Sequence, residues 1–116
     1  MVIYDTSVII DMLRRGNFES GSISIITLLE VLRGISRDKR REVKELLTHI
    51  FNVLEIDNDV VEKYCELYTE LKSRGRLLSD PDLIIAATAI VNKEVLKTRN
   101  KDFQILRDYG LEVEIL

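Results

Sequence analysis

Five side chains with oxygen donors could do chemistry in this sequence: Asp5, Glu30, Asp82, Asn100 and Asp102. Asp5 is the most unusual, because it lies within the apolar and β-branched segment VIYDTSVII. An ionised carboxylate that leaves water is costly unless it is paired, hydrogen-bonded or bound to a metal. Asp5 therefore needs a partner.

Three or four carboxylates that meet in one place repel one another unless a cation lies between them. Mg²⁺ and Mn²⁺ are hard divalent ions that prefer oxygen ligands. If the candidate side chains converge, we expect them to form a site for one of these ions. The sequence leaves the number of ions open.

Each acid also has a simpler explanation, which is helix capping. Thr27 with Glu30, and Ser79 with Asp82, match the capping-box spacing. Asp5 could cap a helix that starts near Ser7, and Asp102 could cap the last helix. The chemical interpretation depends on all the acids meeting at one location.

Composition and hydrophobic periodicity indicate the elements that must position these residues. The chain has 116 residues, of which 46% are hydrophobic and 32% charged, so we expect a single domain over residues 1–116. Predicted strands span residues 1–4, 22–25, 52–56, 94–97 and 111–116. Predicted helices span residues 7–15, 27–33 with Thr27 as N-cap, 58–74, 83–91 and 102–109. A further helix has apolar positions at Val43, Leu46, Leu47, Ile50 and Phe51.

Alternating short strands and helices predict an α/β fold with a mainly parallel central sheet covered on both faces. Residues 83–91 are apolar on all sides, so this helix should lie inside the molecule. In open parallel sheets, sites form beyond the carboxyl ends of the strands. Asp5 and Asn100 follow predicted strands, while Glu30 and Asp82 lie in the first turns of predicted helices. All the candidates could therefore face one edge of the sheet.

Four segments in this order resemble the motifs of PIN-domain ribonucleases, and among these the VapC-type toxins. They are YDTSVIID (4–11), Thr27 with Glu30, DLIIAATA (82–89) and TRNKDF (98–103). The resemblance implies a three-layer α/β/α PIN-like fold and an Mg²⁺- or Mn²⁺-dependent endoribonuclease. It also implies a homodimer that a VapB-type antitoxin holds inactive, and RNA products with 5′-phosphate and 3′-hydroxyl ends.

The resemblance also assigns roles to residues. Asp5, Glu30 and Asp82 match the acidic, metal-binding core, and Glu30 would orient or deprotonate the attacking water. Ser7 and Thr98 match hydroxyl positions that support this core. Asn100 stands where many PIN domains have a fourth Asp, so Asn100 or Asp102 would complete the outer part of the site.

The formal net charge of −3 does not exclude RNA as a partner, because a bound cation gives an acidic cluster a positive centre. Lys72, Arg74 and Arg76 are the predicted RNA-binding residues, although cations also suit a helix C-terminus. Arg37, Lys39, Arg40 and Arg41 form a second basic group, for which solvated helix ends are the favoured explanation.

Two other functions fit the pattern. A phosphorelay receiver domain has similar length and alternation, with Asp57 as the phosphoacceptor, but this chain lacks tandem acids after the first strand. A catalytically silent PIN-like interaction module would use the acids only as helix caps. The RNA target and the antitoxin's identity cannot be deduced from the sequence.

Location and single residues add three expectations. No apolar run approaches the roughly 18 residues of a membrane span, and the N-terminus does not resemble a secretory signal, so we expect a cytoplasmic protein with no membrane partner. The single Cys65 should be a small buried hydrophobe. His49 should lie on a helix surface and take no part in catalysis.

Overall fold

The computed structural model describes residues 1–116 and contains five strands and six helices. The strands are β1 (Val2–Tyr4), β2 (Gly21–Ser24), β3 (Phe51–Leu54), β4 (Val95–Thr98) and β5 (Val113–Ile115). The α-helices are α1 (Thr6–Arg15), α2 (Ile25–Arg33), α3 (Arg37–Ile50), α4 (Asn58–Ser73) and α5 (Asp80–Asn92). A 3-10 helix (Lys101–Tyr109) connects β4 to β5.

The five strands form one sheet in the order β3-β2-β1-β4-β5, and every pair is parallel. Strand β2 lies beside β1, and β3 lies beyond β2. The chain then crosses to the other side of β1 to form β4. The winding direction therefore reverses between β1 and β4. Ligands of open α/β sheets bind at such a switch point, beyond the carboxyl ends of the strands.

Helices cover both faces of the sheet, which confirms the predicted three-layer α/β/α fold. Ile3 packs in a cluster with α4, α5 and the 3-10 helix, whereas the next residue, Tyr4, packs with α1, α2 and α3. This alternation follows from the pleat, because successive side chains of a strand point to opposite faces. The two apolar clusters hold β1 at the centre of the molecule.

The apolar helix α5 lies in the interior as predicted. Six of its residues are buried: Leu83, Ile85, Ala86, Ala87, Thr88 and Ala89. Ser79 caps its N-terminus and Pro81 lies in its first turn, where a missing N–H costs nothing. No helix in the structure is long and apolar enough to cross a lipid bilayer.

Some local predictions were wrong. Helix α2 begins at Ile25 with Ser24 as its N-cap, so Thr27 is a buried residue within the helix and not its cap. Phe51 begins β3 instead of ending α3, because its ring fills the core beside Tyr4. Cys65 is exposed, since the buried face of α4 carries Val60, Leu67 and Leu71. His49 lies on the surface of α3, as predicted.

Candidate active site

Asp5 directly follows β1 and is only 5% exposed. Its carboxylate caps helix α1: Oδ1 accepts hydrogen bonds from the Val8 backbone N–H at 3.3 Å and from the Ser7 hydroxyl at 2.9 Å. Oδ2 accepts a hydrogen bond from the Thr98 hydroxyl, across the switch point. Three donors from α1 and β4 therefore fix the orientation of this buried carboxylate.

The loop after β4 continues this chain of hydrogen bonds. Thr98 is fully buried, and its hydroxyl also accepts the Asn100 backbone N–H at 3.0 Å. The side-chain oxygen of Asn100 accepts the Asp102 N–H at 3.0 Å, so Asn100 is the N-cap of the 3-10 helix. Asp102 is therefore not the cap, and its side chain remains exposed.

Glu30 comes from α2 and lies in the second turn of that helix, not the first, because α2 begins at Ile25. Its side chain is 18% exposed. Oε1 accepts a hydrogen bond of 2.6 Å from the Thr6 hydroxyl, and the Arg33 guanidinium lies 3.8 Å from Oε2. Glu30 is thus connected to the turn that carries Asp5.

Asp82 lies in the first turn of α5, and its N–H donates to the Ser79 hydroxyl at 3.3 Å. The pKa of its carboxyl is raised above the ordinary value mainly because burial disfavours the charged form. The hydrogen bond with Ser79 opposes this rise, and the negative charges of Asp5, Glu30 and Asp102 add to it. The negative charges of acids from three other segments therefore reach Asp82.

The donor set suits a hard cation because it consists of carboxylate oxygens. Asp5, Glu30 and Asp82 are the residues that could hold it. As they stand, no three or more His, Cys, Asp or Glu side chains are arranged so that they could hold a metal ion, so these carboxylates would have to move closer together to bind one. The accumulated negative charge that raises the pKa of Asp82 is the feature that a divalent cation would relieve.

Two of the predicted RNA-binding cations, Lys72 and Arg74, pack on aromatic rings. Lys72 lies over the Tyr68 ring, with 5.8 Å between Nζ and the ring centroid. Arg74 lies over the Tyr109 ring at 5.5 Å, at the far end of the 3-10 helix from Asn100. These contacts show cations packed on aromatic rings of the protein.

Two residues near the site were missed by sequence reasoning. Thr6 contacts Glu30, and its position next to Asp5 was the available signal. Arg99 lies between Thr98 and Asn100 and donates to Asp11 of α1 at 3.0 Å. The pKa of Asp11 is held below its ordinary value by its hydrogen bonds with Arg15 and then with Arg99. Nothing in the sequence indicated that Arg99 joins the β4 loop to α1.

Comparison with known proteins identifies the family to which this chain belongs. Residues 2–108 match the sequence profile of the PIN domain. The chain belongs to the PIN-domain family. This PIN domain is 38% identical to Ribonuclease VapC1 of Methanocaldococcus jannaschii. The alignment has 116 positions and covers 97% of this chain and 85% of that protein. It is 32% identical to Ribonuclease VapC2 of Rickettsia felis, with 78% of this chain and 72% of that protein covered.

Solved structures show the same PIN fold. VapBC-1 from nontypeable Haemophilus influenzae superposes with a TM-score of 0.83 at 28% identity, covering 99% of this chain and 98% of that chain. Family membership removes the receiver-domain alternative, as does the strand order, which differs from the 2-1-3-4-5 order of receivers. The proposed phosphoacceptor Asp57 is the N-cap of α4 and accepts the Val60 N–H at 2.9 Å.

Proposed function

We propose that this PIN domain is a divalent-metal-dependent endoribonuclease, the toxin of a VapBC-type toxin–antitoxin pair. The observation that carries the proposal is that Asp5 follows β1 at the switch point of the sheet and that the negative charges of Asp5, Glu30 and Asp102 all raise the pKa of Asp82. Relatives that resemble the chain over most of its length are named VapC ribonucleases. An acidic cluster of this kind is the chemistry that such an enzyme requires.

The cofactor we propose is Mg²⁺ or Mn²⁺, held by Asp5, Glu30 and Asp82. A divalent cation held by these residues would lower the pKa of water and offset charge on the phosphoryl oxygens. Asp5 offers a carboxylate whose orientation is already fixed by Ser7, Val8 and Thr98. Such preorganisation matters because a ligand that is already aligned loses less freedom when it binds.

The remaining side chains receive their proposed roles from their contacts. Glu30 orients or deprotonates the water that attacks the phosphodiester. Its Oε2 is available for this role because it contacts only Arg33, at 3.8 Å. Ser7 and Thr98 support Asp5. Asp102 adds negative charge beside Asp82 and belongs to the outer part of the site, whereas Asn100 shapes the loop as a cap.

The proposed partners are RNA, a VapB-type antitoxin and a second copy of the chain, in the cytoplasm. The H. influenzae neighbour was solved as the VapBC-1 complex, which supports the antitoxin. We retain Lys72, Arg74 and Arg76 as proposed RNA contacts. All three side chains are exposed and therefore accessible to phosphate.

The test is cleavage of a structured total-RNA pool by the purified protein with Mg²⁺ or Mn²⁺, beside EDTA and an Asp5→Asn variant. Asn is as good a helix cap as Asp, so the variant should fold and lose cleavage. Asp57→Asn is the matched control, because Asp57 makes the same capping contact on α4 and is not among the charges that raise the pKa of Asp82. We expect cleavage by the wild type and by Asp57→Asn only, and only with metal.

Retained cleavage in Asp5→Asn or in EDTA would refute the proposed site. If the wild type neither cleaves RNA nor binds Mn²⁺ in calorimetry, the acids serve as caps and the chain is a silent interaction module. End-labelling of the products gives a further check, since the proposal expects 5′-phosphate and 3′-hydroxyl ends.

A further inference from the structure

Thr6 links two acids that come from different elements. It is the first residue of α1, directly after Asp5, and its Oγ1 lies 2.6 Å from Glu30 Oε1 on α2. The same Oγ1 lies 3.2 Å from the Oγ1 of Thr27, which is fully buried within α2. The three side chains form a continuous line of hydrogen bonds from the core to Glu30.

The direction of these bonds follows from their chemistry. An ionised carboxylate only accepts hydrogen bonds, and a hydroxyl has a single proton to donate. Thr6 must therefore donate to Glu30, and the Thr27 hydroxyl donates to Thr6. The bond to Glu30 is short, as is usual for a hydroxyl that donates to an ionised oxygen.

This arrangement constrains the more flexible of the site carboxylates. A Glu side chain has three rotatable bonds, and Glu30 is 18% exposed, so packing alone leaves it freedom to move. Thr6 holds Oε1 and leaves Oε2 with only Arg33, at 3.8 Å. Because Thr6 directly follows Asp5 in the chain, its hydrogen bond connects Glu30 of α2 to the turn that carries Asp5.

We infer that Thr6 is a positioning residue for Glu30, supported by the buried hydroxyl of Thr27, and that this line of hydroxyls sets the rate of RNA cleavage. The inference rests on the proposed ribonuclease function. Thr6 does not itself touch the reacting atoms. Its loss should lower kcat through Glu30 and leave the KM for RNA unchanged.

The test is a double-mutant cycle in steady-state cleavage with Mn²⁺, using Thr6→Val, Glu30→Ala and both together. Loss of one hydrogen bond to a charged group corresponds to about a 10- to 100-fold lower kcat for Thr6→Val. Thr6→Ser keeps the hydroxyl and should stay within about 3-fold of the wild type. Thr48→Val is the matched control, since the Thr48 hydroxyl bonds only to the backbone of its own helix.

If Thr6 acts through Glu30, then adding Thr6→Val to Glu30→Ala costs no further activity. A loss that persists in the Glu30→Ala background would overturn the inference, as would a change in KM alone. The same cycle is measured by thermal unfolding of the metal-free protein, where we expect the two changes in Tm to be non-additive. Should the wild type cleave no RNA, the proposed function fails, and additive Tm changes would then refute the Thr6–Glu30 link as well.

Discussion

Asp5 caps helix α1, and this role is compatible with the metal binding that we propose for it. Its Oδ1 satisfies backbone and hydroxyl donors of α1, while Oδ2 receives the Thr98 hydroxyl from β4. A carboxylate has about four lone-pair directions, and three are used here. One lone-pair direction therefore remains for a ligand. The hydrogen bonds already in place hold the carboxylate in a fixed orientation, which a ligand needs.

Asp82 differs from Asp5, because its surroundings disfavour the negatively charged form of its carboxyl. A carboxyl whose pKa is higher in the folded chain than in the unfolded chain binds more protons when folded, so stability falls as the pH rises through that interval. At a pH above both pKa values, the full loss of stability is present. The raised pKa of Asp82, caused first by burial, therefore implies that its charge destabilises the metal-free protein at neutral pH.

We predict that Asp82→Asn stabilises the metal-free protein at pH 7 by up to about 1 kcal/mol, the size of a partly solvated charge interaction. The measurement is urea unfolding in EDTA, repeated below the ordinary carboxyl pKa, where the difference should vanish because wild-type Asp82 is then protonated. Glu42→Gln on the exposed face of α3 is the control and should change little. A destabilised Asp82→Asn at pH 7 would contradict the prediction.

At the scale of the elements, one glycine allows β1 and β2 to lie as close as they do. A Cβ on Gly21 would lie 2.9 Å from the carbonyl oxygen of Val2 and 2.7 Å from the ring of Tyr4. The backbone oxygen cannot move away without disturbing the parallel pairing of Ile3 with Ser22. The residue that follows β1 is Asp5, so a shift here also reaches the site.

We predict that Gly21→Ala destabilises the protein by about 1–3 kcal/mol, the usual cost of overpacking. Gly34→Ala is the matched control, because a Cβ there meets only an ordinary 3.5 Å contact and the backbone is in the right-handed helical region. That control should be neutral or slightly more stable. Equal unfolding midpoints for the two variants in urea would refute the steric argument.

The presence of a helix or strand could be predicted where the local sequence signal is strong. Its first and last residues could not. The continuous apolar run of α5 and the glycine after α1 gave correct helices. Ser24 and Thr27 are both good caps by residue type, and only the packing of α2 decides that Ser24 is used. Likewise, burial of the Phe51 ring, not its helical spacing, makes Phe51 part of β3.

The same limit applies to the site. The location of Asp5 and Asn100 after strands could be deduced, because parallel strands end at one edge. The Thr6–Glu30 bond joins residues 24 positions apart and depends on how α1 packs on α2, so no spacing rule reveals it. The RNA-binding prediction placed Lys72 and Arg74 by sequence proximity to the acidic helix, and it could not foresee their contacts with aromatic rings.

At the scale of the molecule, the sheet brings the acids together at a cost that a cation would offset. Asp5, Glu30, Asp82 and Asp102 come from four segments spread over most of the chain, so a bound ion joins both helical layers across the switch point. A ligand that binds only the folded state stabilises that state by mass action. The whole fold, and not one loop, should therefore respond to metal.

We predict that Mn²⁺ at about 100 times its dissociation constant raises the free energy of unfolding by about 2–3 kcal/mol. The measurement is urea unfolding with Mn²⁺ or EDTA. Glu30→Ala and Asp82→Asn should lose most of this gain, whereas Asp57→Asn, whose carboxylate caps α4, should keep it. An equal gain in all variants would place the ion elsewhere. A gain that disappears only in the site variants would place the ion at these acids.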